Sequence, residues 1–172
     1  MLFGLFKKKP KKEQLEEDVA VGSTNIRYKP GLVDDLKSDH ENLLNIYTDI
    51  KLSAEMNNFT KTAEHLTDFR NQLEDHLLKE NINLYIYLTH LLEDDKENST
   101  LISSFRKEMD GIASIALKFL AKYESIGSDK ELQKSFQDDF SVIGDVLGKR
   151  IKREESMLYT LYAPPRDLNA DA

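Results

Sequence analysis

Cysteine and tryptophan are missing altogether from this 172-residue chain. Without cysteine there are no disulfides, no thiolate metal sites and no cysteine nucleophile. That absence fits a reducing compartment. Glycine (7) and proline (4) are sparse, beside 40% hydrophobic and 32% charged residues. Such a mixture favours a helix-rich protein over a sandwich or barrel. No apolar run approaches the roughly 18 to 20 residues needed to span a bilayer. The opening MLFGLF is too short for a signal-peptide core and precedes the lysines instead of following them. Leu2 stands where myristoylation requires glycine. No Ser/His/Asp arrangement, Gly-rich phosphate loop or Walker motif is present, so no enzyme is expected.

The net charge of −7 is unevenly spread. Residues 1–12, MLFGLFKKKPKK, hold five lysines and no acid, which leaves 19 basic against 31 acidic residues, a net of −12, in the rest. An acidic body argues against nucleic acid as the main partner, because phosphate contacts need a basic face. Residues 1–12 read as a basic tail. The alternative is a weak membrane tether, with Leu2, Phe3, Leu5 and Phe6 dipping into the bilayer and Lys7, Lys8 and Lys9 on anionic headgroups. The expected location is cytoplasmic, at the inner membrane face if the tether acts.

Three parts are expected: a basic tail and irregular lead-in over 1–30, one bundle domain over 31–163, and a frayed tail over 164–172. Gly22, Ser23 and Pro30 punctuate the lead-in. Beyond Gly31 four apolar stripes follow heptad-like spacing. The first, from about 32 to 56, is Val33, Leu36, His40, Leu43, Tyr47, Ile50 and Ala54. The second, from about 59 to 92, passes through Phe59, Leu66, Phe69, Leu73, His76, Glu80, Leu84 and Tyr87, and predicts a helix of about 50 Å. The third, opening near Ser99-Thr100 as N-cap, runs through Ile102, Phe105, Met109, Ala116, Phe119 and Tyr123. The fourth opens on a capping box at Ser128-Asp-Lys-Glu131 and passes Phe136, Phe140, Ile143, Leu147, Arg150, Glu154, Met157 and Leu161, until Pro164-Pro165 stops it. Four amphipathic helices with short connections predict an all-α, up-down-up-down antiparallel four-helix bundle. The breaks near 57, 95 and 126 argue against a continuous coiled coil.

Each stripe carries an anomaly near its middle: His40; His76 with Glu80; Met109; Arg150 with Glu154. Buried polar groups are costly unless partnered, so several at one depth point to a shared cluster. His-x-x-x-Glu sets both side chains on one helical face. Bundle cores are where carboxylate–histidine metal sites are built.

With a histidine in DHENLL, His-x-x-x-Glu in DHLLKE, and LGKRIKREESMLYTLY closing the last helix, the chain resembles the hemerythrin-like (HHE cation-binding) family over roughly residues 32–162. That resemblance implies a di-iron bundle. His40, His76, Glu80 and Glu154 match its ligand positions, while Met109 and Arg150 stand where histidines should be. Methionine is a poor ligand for such a centre, and arginine is permanently cationic with no lone pair to offer. The expectation is therefore a metal-free core in which Arg150 pairs with Glu80 and Glu154, His76 hydrogen-bonds nearby and Met109 fills its position. An iron site, di-iron or mononuclear, on His40, His76, Glu80 and Glu154 is the alternative. The LVDDLKSDHENLL opening and the Arg-x-x-x-Glu are also loosely similar to bacterial anti-sigma regulators (regulator of sigma D), helical bundles that bind a transcription factor. The expected function is a non-enzymatic signalling or protein-interaction module whose partner is another, unassigned protein. An iron-dependent sensor or carrier of oxygen or nitric oxide is the alternative, and residual peroxide chemistry ranks last.

Overall fold

A computed structural model describes residues 20–21 and 25–165. The tether candidates Leu2, Phe3, Leu5, Phe6, Lys7, Lys8 and Lys9 lie outside the described residues. Four helices form an antiparallel bundle, and no strand occurs among the described residues. Helix α1 is Leu32–Glu55. Helix α2 opens as Phe59–Lys79, passes through a π segment at Glu80–Tyr85 and ends as Ile86–Leu91. Helix α3 is Lys96–Lys122. Helix α4 opens as Lys130–Arg153, passes through a second π segment at Glu154–Leu158 and closes in a 3-10 turn at Tyr159–Leu161. Among the described residues no helix is long and apolar enough to cross a membrane.

Capping sets the starts. Asn58 accepts from the Lys61 amide at 3.2 Å, after Asn57 turns the chain with a left-handed φ of 56°. Two caps differ from expectation. Helix α3 starts on Asp95, which accepts from the Asn98 amide at 3.0 Å, so Ser99 lies inside the helix. Helix α4 starts on Asp129, not Ser128, and its carboxylate takes the Glu131 and Leu132 amides at 2.9 and 3.2 Å. In both places a carboxylate, which also favours the positive end of the helix dipole, takes the N-cap position in place of the hydroxyl.

Packing divides the core in two. One apolar cluster gathers Leu43, Ile50, Phe69, Leu73, Ala116, Phe119, Phe136 and Ile143. The other gathers Leu36, Leu84, Tyr87, Leu88, Ile102, Phe105, Leu158 and Tyr159. On every helix the anomalous residues fall between the two: His40 between Leu36 and Leu43, Glu80 between Leu73 and Leu84, Met109 between Phe105 and Ala116, Arg150 between Ile143 and Leu158. A buried polar layer thus crosses the bundle. Beyond it, the lead-in packs on the far end. Val21 is buried there, its amide bonds the Ile26 carbonyl at 2.8 Å, and Tyr28 stacks on Tyr162 with ring centres 4.9 Å apart.

Gly144 has a specific reason. A Cβ there would sit 2.0 Å from the hydroxyl of Tyr47, whose ring stacks on Phe140 at 4.2 Å. At Gly148, one turn further on, a Cβ meets nothing within 4 Å, so the close approach is at Gly144.

Candidate functional site

The polar layer is assembled from all four helices. His40 on α1, His76 and Glu80 on α2, and Arg150 and Glu154 on α4 are buried, and Met109 on α3 is buried among them in the sequence of layers. One ligand atom each from His40, His76 and Glu154 lie within 4.8 Å of one another. The fold thus brings His40, His76 and Glu154 together.

Their partners show what they do. Arg150 donates from Nε to Glu154 Oε1 at 2.5 Å and from Nη2 to the Tyr85 hydroxyl at 2.5 Å. The expected Arg150–Glu80 bond is not made. Tyr85, brought inward by the π turn that begins at Glu80, takes that guanidinium corner instead. The Phe105 ring lies under the guanidinium, 4.7 Å from its carbon, a cation–π contact. Glu80 receives the Tyr159 hydroxyl on Oε1 at 3.4 Å, while Oε2 and Arg150 Nη1 are buried without a hydrogen bond among the described residues. That Nη1 does stand 3.8 Å from Glu108 Oε2 on α3.

His40 is held on both nitrogens. Nδ1 pairs with Glu155 Oε1 at 2.8 Å, and Nε2 faces Glu154 Oε2 and the Tyr159 hydroxyl, each at 3.3 Å. Its ring stacks on Tyr159 at 5.7 Å and tilts against His76 at 4.7 Å. His76 Nδ1 faces Asp39 Oδ2 at 3.4 Å, and Lys79 reaches the same oxygen at 2.6 Å.

Electrostatics follow this wiring. Burial and then the nearby Glu154 charge push Glu80 up to about 8, so it is a neutral acid at pH 7. Burial also acts against ionised Glu154, but the His40 hydrogen bond and the Arg150 charge outweigh it and hold Glu154 below the usual range. For His40 burial is outweighed by the Glu154 and Glu155 hydrogen bonds, and the net direction is up. Burial, then the neighbouring His40 charge, push His76 down. The layer thus sets Arg150 and His40 against Glu154, His40 also against Glu155, and Lys79 against Asp39.

Residues 18–162 match the model of the family described as "Regulator of RNA polymerase sigma(70) subunit, Rsd/AlgQ". The chain belongs to that family. Comparison with curated proteins and with solved structures finds no match. Membership in Rsd/AlgQ overturns the hemerythrin-like assignment and, with it, the description of the chain as an HHE metal-binding domain. The physical reason is in the layer: at one formal ligand position Arg150 supplies the cation, and at another Met109 supplies apolar bulk. The family's description is that of a regulator of a protein subunit, which at family level fits a regulatory, protein-interaction role rather than an enzyme.

Sequence reasoning missed Tyr85, Tyr159, Asp39, Glu108 and Glu155. A signal for the tyrosines was present. ENINLY and EESMLY share Glu-x-x-x-Leu-Tyr, and each copy coincides with a π segment of this Rsd/AlgQ chain.

Proposed function

We propose that this chain regulates transcription by binding a sigma-70-type factor of RNA polymerase, in the cytoplasm where that enzyme works. The observation that carries the reading is the family match across residues 18–162, which spans all four helices. The buried layer supports it from the other side. His40, His76, Glu80, Arg150 and Glu154 are each 3% exposed or less, which leaves no face of the set for a substrate. The clefts of about 230 and 70 Å³ beside Tyr47 are lined by other residues. Binding chemistry then belongs to the outer faces of the helices.

We assign the candidate ligand residues a structural role. His40, His76, Glu80 and Glu154, with Arg150 and Met109, form a polar layer that fixes how the four helices register against one another. Buried polar groups of this kind are strongly destabilising when one partner is removed. The functional reading is tested by mixing the purified chain with the principal sigma factor of its host and separating by size exclusion. Co-elution as one species is expected. Independent elution at concentrations of about 10 μM, where even a micromolar complex forms, overturns it.

A further inference from the structure

Among the described residues, helix α2 presents an exposed apolar ridge. Leu78, Ile82 and Ile86 are 58%, 53% and 37% exposed and follow one another at four-residue steps. In an uninterrupted α-helix eight residues would rotate such a ridge by about 80°. The wider turn at Glu80–Tyr85 offsets part of that rotation and keeps the three side chains together. The ridge is thus the outer side of the same π segment whose inner side carries Glu80 and Tyr85. Large exposed aliphatic side chains in a row mark a contact surface more than three scattered ones do.

Charge brackets the ridge. Asp68, Glu74 and Asp75 are exposed before it on α2, and Glu93 and Asp94 are exposed where α2 ends. Lys79, the nearest lysine on the helix, is drawn off to Asp39 at 2.6 Å. The α1 side chains Leu44, Leu52 and Met56 are also exposed, but Thr48 interrupts them and the Lys51–Glu55 ion pair runs beside them. An apolar ridge with acidic ends matches an amphipathic helix with a basic rim. A protein that reads DNA carries such helices, because phosphate contact requires Lys and Arg.

We propose that the Leu78–Ile82–Ile86 face of α2, with Glu74 and Asp75 at one end and Glu93 and Asp94 at the other, is the docking surface for a basic amphipathic helix of the sigma-70-type factor. This inference rests on the function proposed above. The apolar side chains bury against the partner helix, and the acids set its register and speed its approach, an effect that weakens with salt.

The test titrates the host sigma factor with five forms of the full chain: wild type, Leu78→Ser/Ile82→Ser/Ile86→Ser, Ile82→Arg, Leu44→Ser/Leu52→Ser/Met56→Ser, and Glu74→Lys/Asp75→Lys. Circular dichroism checks each fold. The expected result is a loss of affinity of about tenfold or more in both ridge variants and little change in the α1 variant. Glu74→Lys/Asp75→Lys should slow association and flatten its salt dependence. Ridge variants that bind as the wild type does, or a loss confined to the α1 variant, overturn the docking surface and leave the sigma reading standing. A wild type that does not bind removes that reading, and this inference with it. A wild-type dimer in sedimentation that the ridge variants convert to monomer means a second copy covers the face, and overturns the proposal.

Discussion

Glu80 and Glu154 each begin a π turn, one on α2 and one on α4, and each is followed five residues later by a tyrosine that crosses to the other helix. Tyr85 accepts from Arg150, and Tyr159 donates to Glu80. A π turn adds a residue to the helical repeat and often marks a functional or strained position. Here it swings the tyrosine to the side that its glutamate already occupies. The two halves of the polar layer are built by the same local device and cross-linked through it.

The two crossings are unequal. Tyr85 receives a charge-assisted bond at 2.5 Å, whereas the Tyr159 contacts to Glu80 and His40 are 3.4 and 3.3 Å. Tyr85→Phe should cost about 1–3 kcal/mol because it strands a second buried guanidinium nitrogen. Tyr159→Phe should cost less, about 0.5–1.5 kcal/mol. Urea unfolding of both variants measures the difference; equal losses would remove the distinction.

Arg150 and Glu154 should behave as a unit. Arg150→Met leaves a buried carboxylate facing burial without its cation and should cost about 3–5 kcal/mol. Arg150→Met combined with Glu154→Leu should recover a large part of that loss. A double-mutant cycle by denaturant unfolding gives the coupling, and strictly additive losses would contradict it.

Stability should fall as pH rises from 6.5 to 9. Folded Glu80 keeps its proton to about 8, while the unfolded side chain loses it near 4.5, so across that window rising pH favours the unfolded chain. His40, raised above 6.5, adds in the same direction: its contribution is full below 6.5 and is lost as pH climbs through its folded value. Glu154 and His76 are lowered, so their contributions disappear on the acid side instead, below 4.5 and below 6.5. The alkaline loss from Glu80 is on the order of a few kcal/mol. Glu80→Gln should flatten the decline in Tm between pH 6.5 and 9. A variant that declines as steeply as the wild type would contradict the assignment of a neutral buried acid.

Iron(II) or zinc(II) should leave Tm where it is, and a chelator likewise. His40 is engaged on both nitrogens and Glu154 on both oxygens, so a metal would have to displace existing partners. Stoichiometric metal in the purified protein, or a rise in Tm with added metal, would contradict the structural role given to the layer.

Much of this was legible. Apolar residues three and four apart located all four helices, and the same counting put His40, His76, Glu80, Met109, Arg150 and Glu154 at one depth. Counting by 3.6 residues failed where the helix is wider. It placed Met157 inside, yet Met157 is 42% exposed and Leu158 and Tyr159 are buried in its stead. Chemistry was harder to read than position, because His-x-x-x-Glu puts two side chains on one face whether a metal or an ion-pair network joins them. Asp39, Glu108 and Glu155 flank the stripes rather than lie in them, so they read as surface charge until their partners were placed.

Binding of a sigma-70-type factor is measured by isothermal titration of the purified chain into the principal sigma factor of its host. A saturable one-to-one complex with a Kd of about 1 μM or tighter is expected if the chain regulates transcription in this way. Heats that show no saturable binding, with both proteins folded, would rule that function out.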